Sequence, residues 1–324
     1  MPLPPLLQNH LRLPAIGAPM FIVSGPELVI AQCKAGIVGA FPALNARPKE
    51  KLEEWIVQIK EELAAYQAAH PAAKVAPFAV NQIVHASNDR LAHDVEVGIR
   101  QQVPIQITSL RPPADVVKAA HSYGGVVFHD VISVRHAEKA AEQGVDGLIL
   151  VCAGAGGHAG MLSPFALIPE VRRFFPGTII LSGSIATGGA IAAAQAIGAD
   201  LAYIGTRFIA TAEANAPLGY KRMLIESSAA DIVYSSLFTG VLGNYLKPSI
   251  RAAGLDPDDL PVADKSTMNF GSGGNTKSKA WRDIWSAGQG LGSIDDAPPV
   301  ADLVARLEVE YRAACEVLTP ERVA

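Results

Sequence analysis

The sequence predicts an α/β fold, a (β/α)8 TIM barrel with an inserted subdomain in its C-terminal part. Three observations carry that expectation: β-branched or apolar runs alternate with longer amphipathic or Ala-rich stretches, eight such runs can be counted, and the chain has 324 residues. The alternation marks βα units feeding a parallel sheet. One barrel takes roughly 250 residues, so the length accommodates a barrel and an elaboration.

In chain order the expected strands are Pro14 to Pro19, Ile37 to Pro42, Val75 to Asn81 and Ile105 to Thr108, then Gly125 to Asp130, Gly147 to Val151, Thr178 to Gly183 and Leu201 to Gly205. Between them the spacing predicts helices over Lys49 to His70, Asp89 to Gln101, Pro113 to His121, Val134 to Gln143 and Gly188 to Ile197. An open doubly wound sheet is the rival fold. It usually shows G-x-G-x-x-G after its first strand, where this chain reads GAPMFIVSG.

After Thr206 the rhythm loosens, and Ser227 to Gln289 carries Pro248, Pro257, Pro261 and the Gly-rich stretch Gly271 to Asn275. The expected organisation is therefore a barrel over 1–226 and 291–324, with 227–290 inserted as a substrate or lid subdomain. Within it, KSTMNFGSGGNTKSKAW reads equally well as a plain flexible loop. Pro299 to Leu318 has helical spacing and is expected to pack on the barrel.

Composition narrows the function classes. Apolar residues make up 49% and charged ones 18%, enough to build a large core and too little polarity for a disordered majority. Twenty-seven basic against 31 acidic residues give a net charge of −4. No dense Lys/Arg run would track a phosphate backbone, which argues against nucleic acid. No window offers the ~20 apolar residues a membrane span needs, and MPLPPLLQNHLRLP lacks the features of a signal peptide. Cys33, Cys152 and Cys315 have no close spacing. A cytoplasmic protein with reduced thiols is the expectation, with room for a homo-oligomer.

In a parallel barrel, ligands bind past the carboxyl ends of the strands. Ser182, Gly183 and Ser184 follow the seventh expected strand, and Gly205 and Thr206 follow the eighth. Backbone amides there, with a helix N-terminus, can hold a phosphate without any Lys; the plainer alternative is a pair of tight turns. The sixth strand runs into CAGAGGHAG, Cys152 to Gly160, which would let a planar ring lie on backbone and presents His158 at the mouth. An imidazole titrating near neutrality suits a general acid or base.

These motifs resemble a known family. GAPM (Gly17 to Met20) with GPEL nearby, PFAVN (Pro77 to Asn81), AGGH (Ala155 to His158), LSGSIATG (Leu181 to Gly188) and YIGTRF (Tyr203 to Phe208) occur in an order similar to that of the nitronate monooxygenases, formerly 2-nitropropane dioxygenases. IWSAGQG (Ile284 to Gly290) followed by IDDAPP extends the similarity. The resemblance implies FMN held by Ala18, Pro19, Met20, Asn81, Gly156, Gly183, Ser184 and the stretch Tyr203, Ile204, Gly205, Thr206, with His158 as the catalytic base and no metal. It implies oxidation of alkyl nitronates or nitroalkanes with O2 to a carbonyl compound and nitrite. His158 would then take the proton alpha to the nitro group of a neutral nitroalkane, a step that nitronates do not need.

Three positions depart from the family pattern. Val151 stands where many relatives have Gln, Asp130 where some have Lys, and Ser184 where the second Gly of the loop is usual. A carboxylate beside a flavin disfavours the anionic reduced ring that a Lys stabilises. The main competing function is an NAD(P)H-dependent FMN reductase acting on quinones or enoyl thioesters, since such enzymes resemble this chain in the same loops. A non-enzymatic flavin-binding scaffold and a zinc hydrolase are weaker rivals; the histidines show no paired metal-site spacing. His129 is read either as a site residue or as a hydrogen-bonded core residue. Tyr245, Lys247 and Trp285 are read as entrance or plain surface residues, and Cys152 as a small buried hydrophobe.

Overall fold

The computed structural model describes residues 3–261 and 283–318. Eight parallel strands make the barrel: β1 (Ala15–Gly17), β2 (Gly39–Pro42), β3 (Phe78–Val84), β4 (Ile105–Leu110), β5 (Val126–Val131), β6 (Gly147–Val151), β8 (Thr178–Ser182) and β9 (Leu201–Ile204). They lie in the order β1-β9-β8-β6-β5-β4-β3-β2. The ring closes through a parallel bridge between Ile16 and Val38, with Gly17 N donating to Val38 O at 2.7 Å.

The side-chain period of two explains why these segments are strands at all. Ile16, Ala40, Ala79, Ile107, Phe128, Ile149 and Ile180 point inward and fill the barrel interior, where Leu7 from the N-terminal segment joins them. Their neighbours Leu148, Leu150, Ile179, Leu181, Ala202 and Ile204 point outward into the layer under the helices. With both faces buried, a strand such as GLILV at Gly147–Val151 carries no polar alternation.

Helices α1 (Pro26–Lys34), α2 (Lys51–Ala69), α3 (Leu91–Arg100), α4 (Ala114–His121), α5 (Val134–Ala141), α6 (Pro164–Arg172) and α7 (Gly188–Ala196) connect successive barrel strands. After β9 come α8 (Thr206–Ile209) and α9 (Leu218–Glu226). The final helix, α11 (Val300–Val317), packs against α7: a Cβ at Gly188 would lie 2.1 Å from Leu307 O. The expected barrel strands and helices are all present with shifted ends. Val75–Pro77 stays outside β3, since Pro77 has no N–H to give a ladder, and β3 instead runs on to Val84 along β4. Helices α1 and α6 lie outside the helical patterns named above; each starts with a proline, and α6 holds a second one, Pro169.

The segment after α9 is stitched to a barrel loop. Strands β10 (Ile232–Ser235) and β11 (Gly243–Leu246) pair antiparallel, and β11 pairs again with β7 (Gly157–His158), which lies in the loop after β6. Helix α10 (Lys247–Ala252) follows, and Tyr245, Ile250 and Ile284 form a small cluster with Phe238. The stretch Gly271 to Asn275 and the motif around it lie outside the described residues. Among the described residues no helix is long and apolar enough to cross a membrane.

Candidate functional site

A cavity of about 600 Å³ opens at the carboxyl ends of the barrel strands. The same alternation that fills the interior builds its floor. Two residues beyond the core positions Ile16, Ala40, Ala79, Ile107, Phe128, Ile149, Ile180 and Tyr203 stand Ala18, Pro42, Asn81, Ser109, Asp130, Val151, Ser182 and Gly205, and all eight line the cavity. Of the residues expected at the site, Ala18, Pro19, Met20, Asn81, Gly156, His158, Gly183, Ser184, Tyr203, Gly205 and Thr206 lie in this wall. Ile204 does not. It has the opposite parity, is 1% exposed and packs under the helices, while its carbonyl accepts from Ala18 N at 2.9 Å.

The glycine loops meet backbone to backbone. Gly183 has φ +138°, and a Cβ there would sit 2.8 Å from Ala153 O; Ser184 follows at φ +56° with its N–H on Gly154 O at 3.3 Å. A Cβ on Gly156 would meet Gly288 N at 2.8 Å, and Gly288 N itself donates to Thr206 Oγ1 at 2.8 Å. Loops after β6, β8 and β9 are thereby held together with 288–290, and Ser286, Gly288 and Gly290 join the cavity wall. The motif IWSAGQG was legible in the sequence, but its place in the wall was not. The N-terminus of α7 contributes little to anion binding, because Glu310 takes the Gly188 N–H at 2.7 Å and Thr187 takes that of Ala190 at 3.2 Å. Any phosphate role falls to the loops themselves.

Met20 is braced by a residue that sequence reasoning missed. Asn45 donates from Nδ2 to Met20 O at 3.0 Å and to Ser24 O at 2.8 Å, and accepts from Ile22 N at 2.9 Å. An Asn in a short loop carries no distinctive sequence signal. Arg47, on the same loop, reaches the cavity rim with its guanidinium 5.4 Å from the Phe21 ring centre.

The electrostatics differ from the sequence expectation. Asp130 accepts from Ser109 Oγ at 2.6 Å, and Ser109 accepts from Asn81 Nδ2 at 3.0 Å. Burial pushes the Asp130 carboxyl up to about 7, against the smaller opposing effect of the Ser109 hydrogen bond. Burial moves His158 the other way, down to about 4, so its ring is neutral at pH 7. His158 Nε2 is 2.8 Å from Thr239 Oγ1, and that hydroxyl is also 3.4 Å from Tyr245 OH. Antiparallel pairing of His158 with Gly243 fixes the backbone beneath the ring.

The remaining candidates fall outside the cavity wall. His129 is 3% exposed, turned away from the cavity, and bonded through Nδ1 to Thr108 Oγ1 at 2.8 Å, a core histidine. Tyr245 is fully buried behind Thr239, Lys247 pairs with Asp258 at 3.0 Å, and Trp285 stacks on Tyr220 at 4.8 Å. None of the three lies in the cavity wall: Tyr245 joins the small cluster with Ile250 and Ile284, Trp285 packs against the main core, and Lys247 is drawn to Asp258. Cys152 is buried, and desolvation raises its thiol to about 12.

With this geometry in place, comparison with known proteins is informative. The sequence model of the family described as "Nitronate monooxygenase" matches residues 5–310. A nitronate monooxygenase of Paraburkholderia phytofirmans is 26% identical, the alignment covering 94% of each chain. Among solved structures, nitroalkane oxidase from Streptomyces ansochromogenes superposes with a TM-score of 0.78 at 23% identity, covering 97% of this chain and all of that one (100%). FabK from Thermotoga maritima superposes with a TM-score of 0.74 at 24% identity over 96% of each chain. At such identities the two structures speak for the barrel fold alone. The family match spans nearly the whole chain, both β6 and β8 glycine loops included, and the chain therefore belongs to the nitronate monooxygenase family of flavin oxidoreductases.

Proposed function

We propose that this chain binds FMN and oxidises alkyl nitronates, and the nitroalkanes they derive from, with O2 to a carbonyl compound and nitrite. The observation that supports the reading is the convergence of His158 and ten of the eleven expected cofactor positions on one cavity. The wall suits such a ligand on its own chemistry. Gly156 and Gly183 are required by the packing of the loops, since a Cβ at either would strike the backbone of a neighbouring loop, and both present main chain to the cavity, where a flat ring can lie. At the floor, Asp130 Oδ1 and Tyr203 OH are buried polar atoms with no protein partner.

When bound, FMN would supply the electron transfer and the reaction with O2. Ala18, Met20, Gly156 and Tyr203 would hold the ring, and the loops at Gly183–Ser184 and Gly205–Thr206 the phosphate. For a neutral nitroalkane, His158 accepts the proton alpha to the nitro group. Its neutral ring is in the accepting form, and Thr239 fixes its orientation. Leu44, Ile83, Leu110, Ile132 and Val241 give the cavity an apolar stretch of wall, which would limit water beside the reacting carbon.

The test is anaerobic flavin reduction by ethyl nitronate, by NADH and by NADPH. Reduction by the nitronate, with both pyridine nucleotides inert, is the expected result. Reduction by a pyridine nucleotide alone would move the chain to the FMN reductases. His158→Ala should keep FMN and lose turnover of nitroethane at least about a hundredfold more than turnover of ethyl nitronate; equal losses would remove the base role.

A further inference from the structure

Two oxygens at the cavity floor stand buried without a hydrogen-bond partner in the protein, Asp130 Oδ1 and the hydroxyl of Tyr203. Buried polar atoms are normally paired, so an orphaned pair facing a cavity marks where a ligand supplies the partner. Which ligand chemistry fits follows from where the protons sit. Asp130 Oδ2 already accepts from Ser109, whose own oxygen accepts from Asn81. The Ser109 proton is thus committed to Oδ2, and a proton on the carboxyl has Oδ1 as its place.

Tyr203 is 7% exposed, and burial together with the charge of Asp130 pushes its ionisation well above the ordinary value. It remains a donor. Protonated Asp130 and Tyr203 thus present two O–H donors to the cavity, and what satisfies them is an acceptor-only edge, a carbonyl oxygen or an unprotonated ring nitrogen. Flavins carry such an edge on the dione side of the ring. Resting on the FMN reading above, we propose that Asp130 and Tyr203 clamp the carbonyl-bearing edge of the flavin, and that the ring binds together with one proton on Asp130.

The groups that face this pair are few among the described residues. Asn81 reaches it from β3, Ser109 from β4 and Tyr203 from β9, while His158 on β7, His136 on α5 and Arg47 stand on the same cavity wall. His129 beside it on β5 faces away. His158 is held low by burial and stays neutral through the neutral range. Desolvation with the Ser109 hydrogen bond leaves Asp130 titrating at about 7, inside an accessible window.

The experiment is riboflavin affinity of the full chain, read by quenching of flavin fluorescence between pH 5.5 and 8.5. Riboflavin is chosen because the FMN phosphate has its own ionisation near 6. Kd should be level below about pH 7 and rise about tenfold per pH unit above it. Asp130→Asn, whose amide donates at every pH, should bind with no break. Ser109→Ala removes a bond that favours the carboxylate and should move the break to higher pH. Tyr203→Phe should weaken binding by one factor at every pH with the break in place, and His136→Gln should leave the break unchanged. A break that survives Asp130→Asn, or tight binding with a level Kd in the wild type, overturns the proposal and leaves the flavin reading standing. If neither riboflavin nor FMN binds at any pH, the flavin reading falls and the proposal with it.

Discussion

Asp130 and His158 occupy one cavity, and burial drives them in opposite directions because their charged forms arise oppositely, one by losing a proton and the other by gaining one. Asp130 titrates at about 7 against an ordinary 3.8, so between those values the folded protein holds a proton that the unfolded chain has released. Its contribution to stability is therefore present below about pH 4, declines as pH rises toward 7 and is level beyond. Asp130→Asn removes the titration, and the variant should gain about 2.5 kcal/mol on wild type between pH 5 and pH 8. Thermal melts of the flavin-free protein at the two pH values check it; an unchanged difference would place the carboxyl in contact with solvent. His158, titrating at about 4, is already in its basic form at pH 5. The pH profile of kcat/KM with nitroethane should accordingly show no His158 limb between 5 and 8, whereas a limb near 6.5 would mean an imidazole open to water. Neither shift could be read from sequence, since both depend on what lies around the group and not on the residues beside it.

At the scale of elements, the glycine loops and the barrel strands were legible for different reasons. Strands announce themselves through apolar runs, and the loops through CAGAGGHAG and SGS, so the site's location followed from placing each motif after its strand. Parity was the harder matter: Ile204 and His129 sit next to cavity residues and face the other way, and only a strand's register settles which of two neighbours looks inward. The β10–β11 hairpin was illegible because its pairing partner, two residues at Gly157–His158, is a strand only by virtue of that pairing. This pairing makes a prediction. A Cβ on Gly243 would lie 2.7 Å from Gly157 O, in the backbone that carries His158. Gly243→Ala should displace the β7–β11 ladder while sparing the barrel. Turnover of nitroethane should fall at least about tenfold, since misplacement of a base by an ångström costs on that order or more, with FMN affinity and melting temperature little changed. FMN loss in parallel with activity would show that β11 supports the cofactor wall as well as the histidine.

The whole molecule is a ring of βα units that must also hold its chain end, and one charged cluster does much of this. Arg207, in α8 directly after β9, is 2% exposed. Its guanidinium donates to Asp296 Oδ1 at 2.6 Å and to the carbonyls of Ala210 at 3.0 Å and Asp296 at 3.2 Å, and Arg306 of α11 grips the same carboxylate at 2.5 Å. Glu213 meanwhile accepts from Val300 N at the start of α11, and Glu310 from Gly188 N at the start of α7. The IDDAPP segment and the last helix are thus tied to the segment that follows the Tyr203 strand and begins at Gly205, which gives a structural reason for two motifs that sequence reading linked only by resemblance. Burial alone would lower the Arg207 pKa, and Asp296 is the charge that opposes it. Arg207 is buried but Asp296 is 40% exposed, so water screens the pair, and removing the carboxylate costs less than breaking a fully buried pair, on the order of 1–2 kcal/mol. Asp296→Asn should therefore destabilise the protein by about that much, and Arg207→Met with Asp296→Asn together by less than Asp296→Asn alone, since the double variant leaves no buried cation and only the exposed Arg306 loses its partner. Urea unfolding of the wild type, the two single variants and the double variant measures it. A double variant as unstable as the sum of its single changes would show that the two residues act independently and that α11 is held by its apolar face.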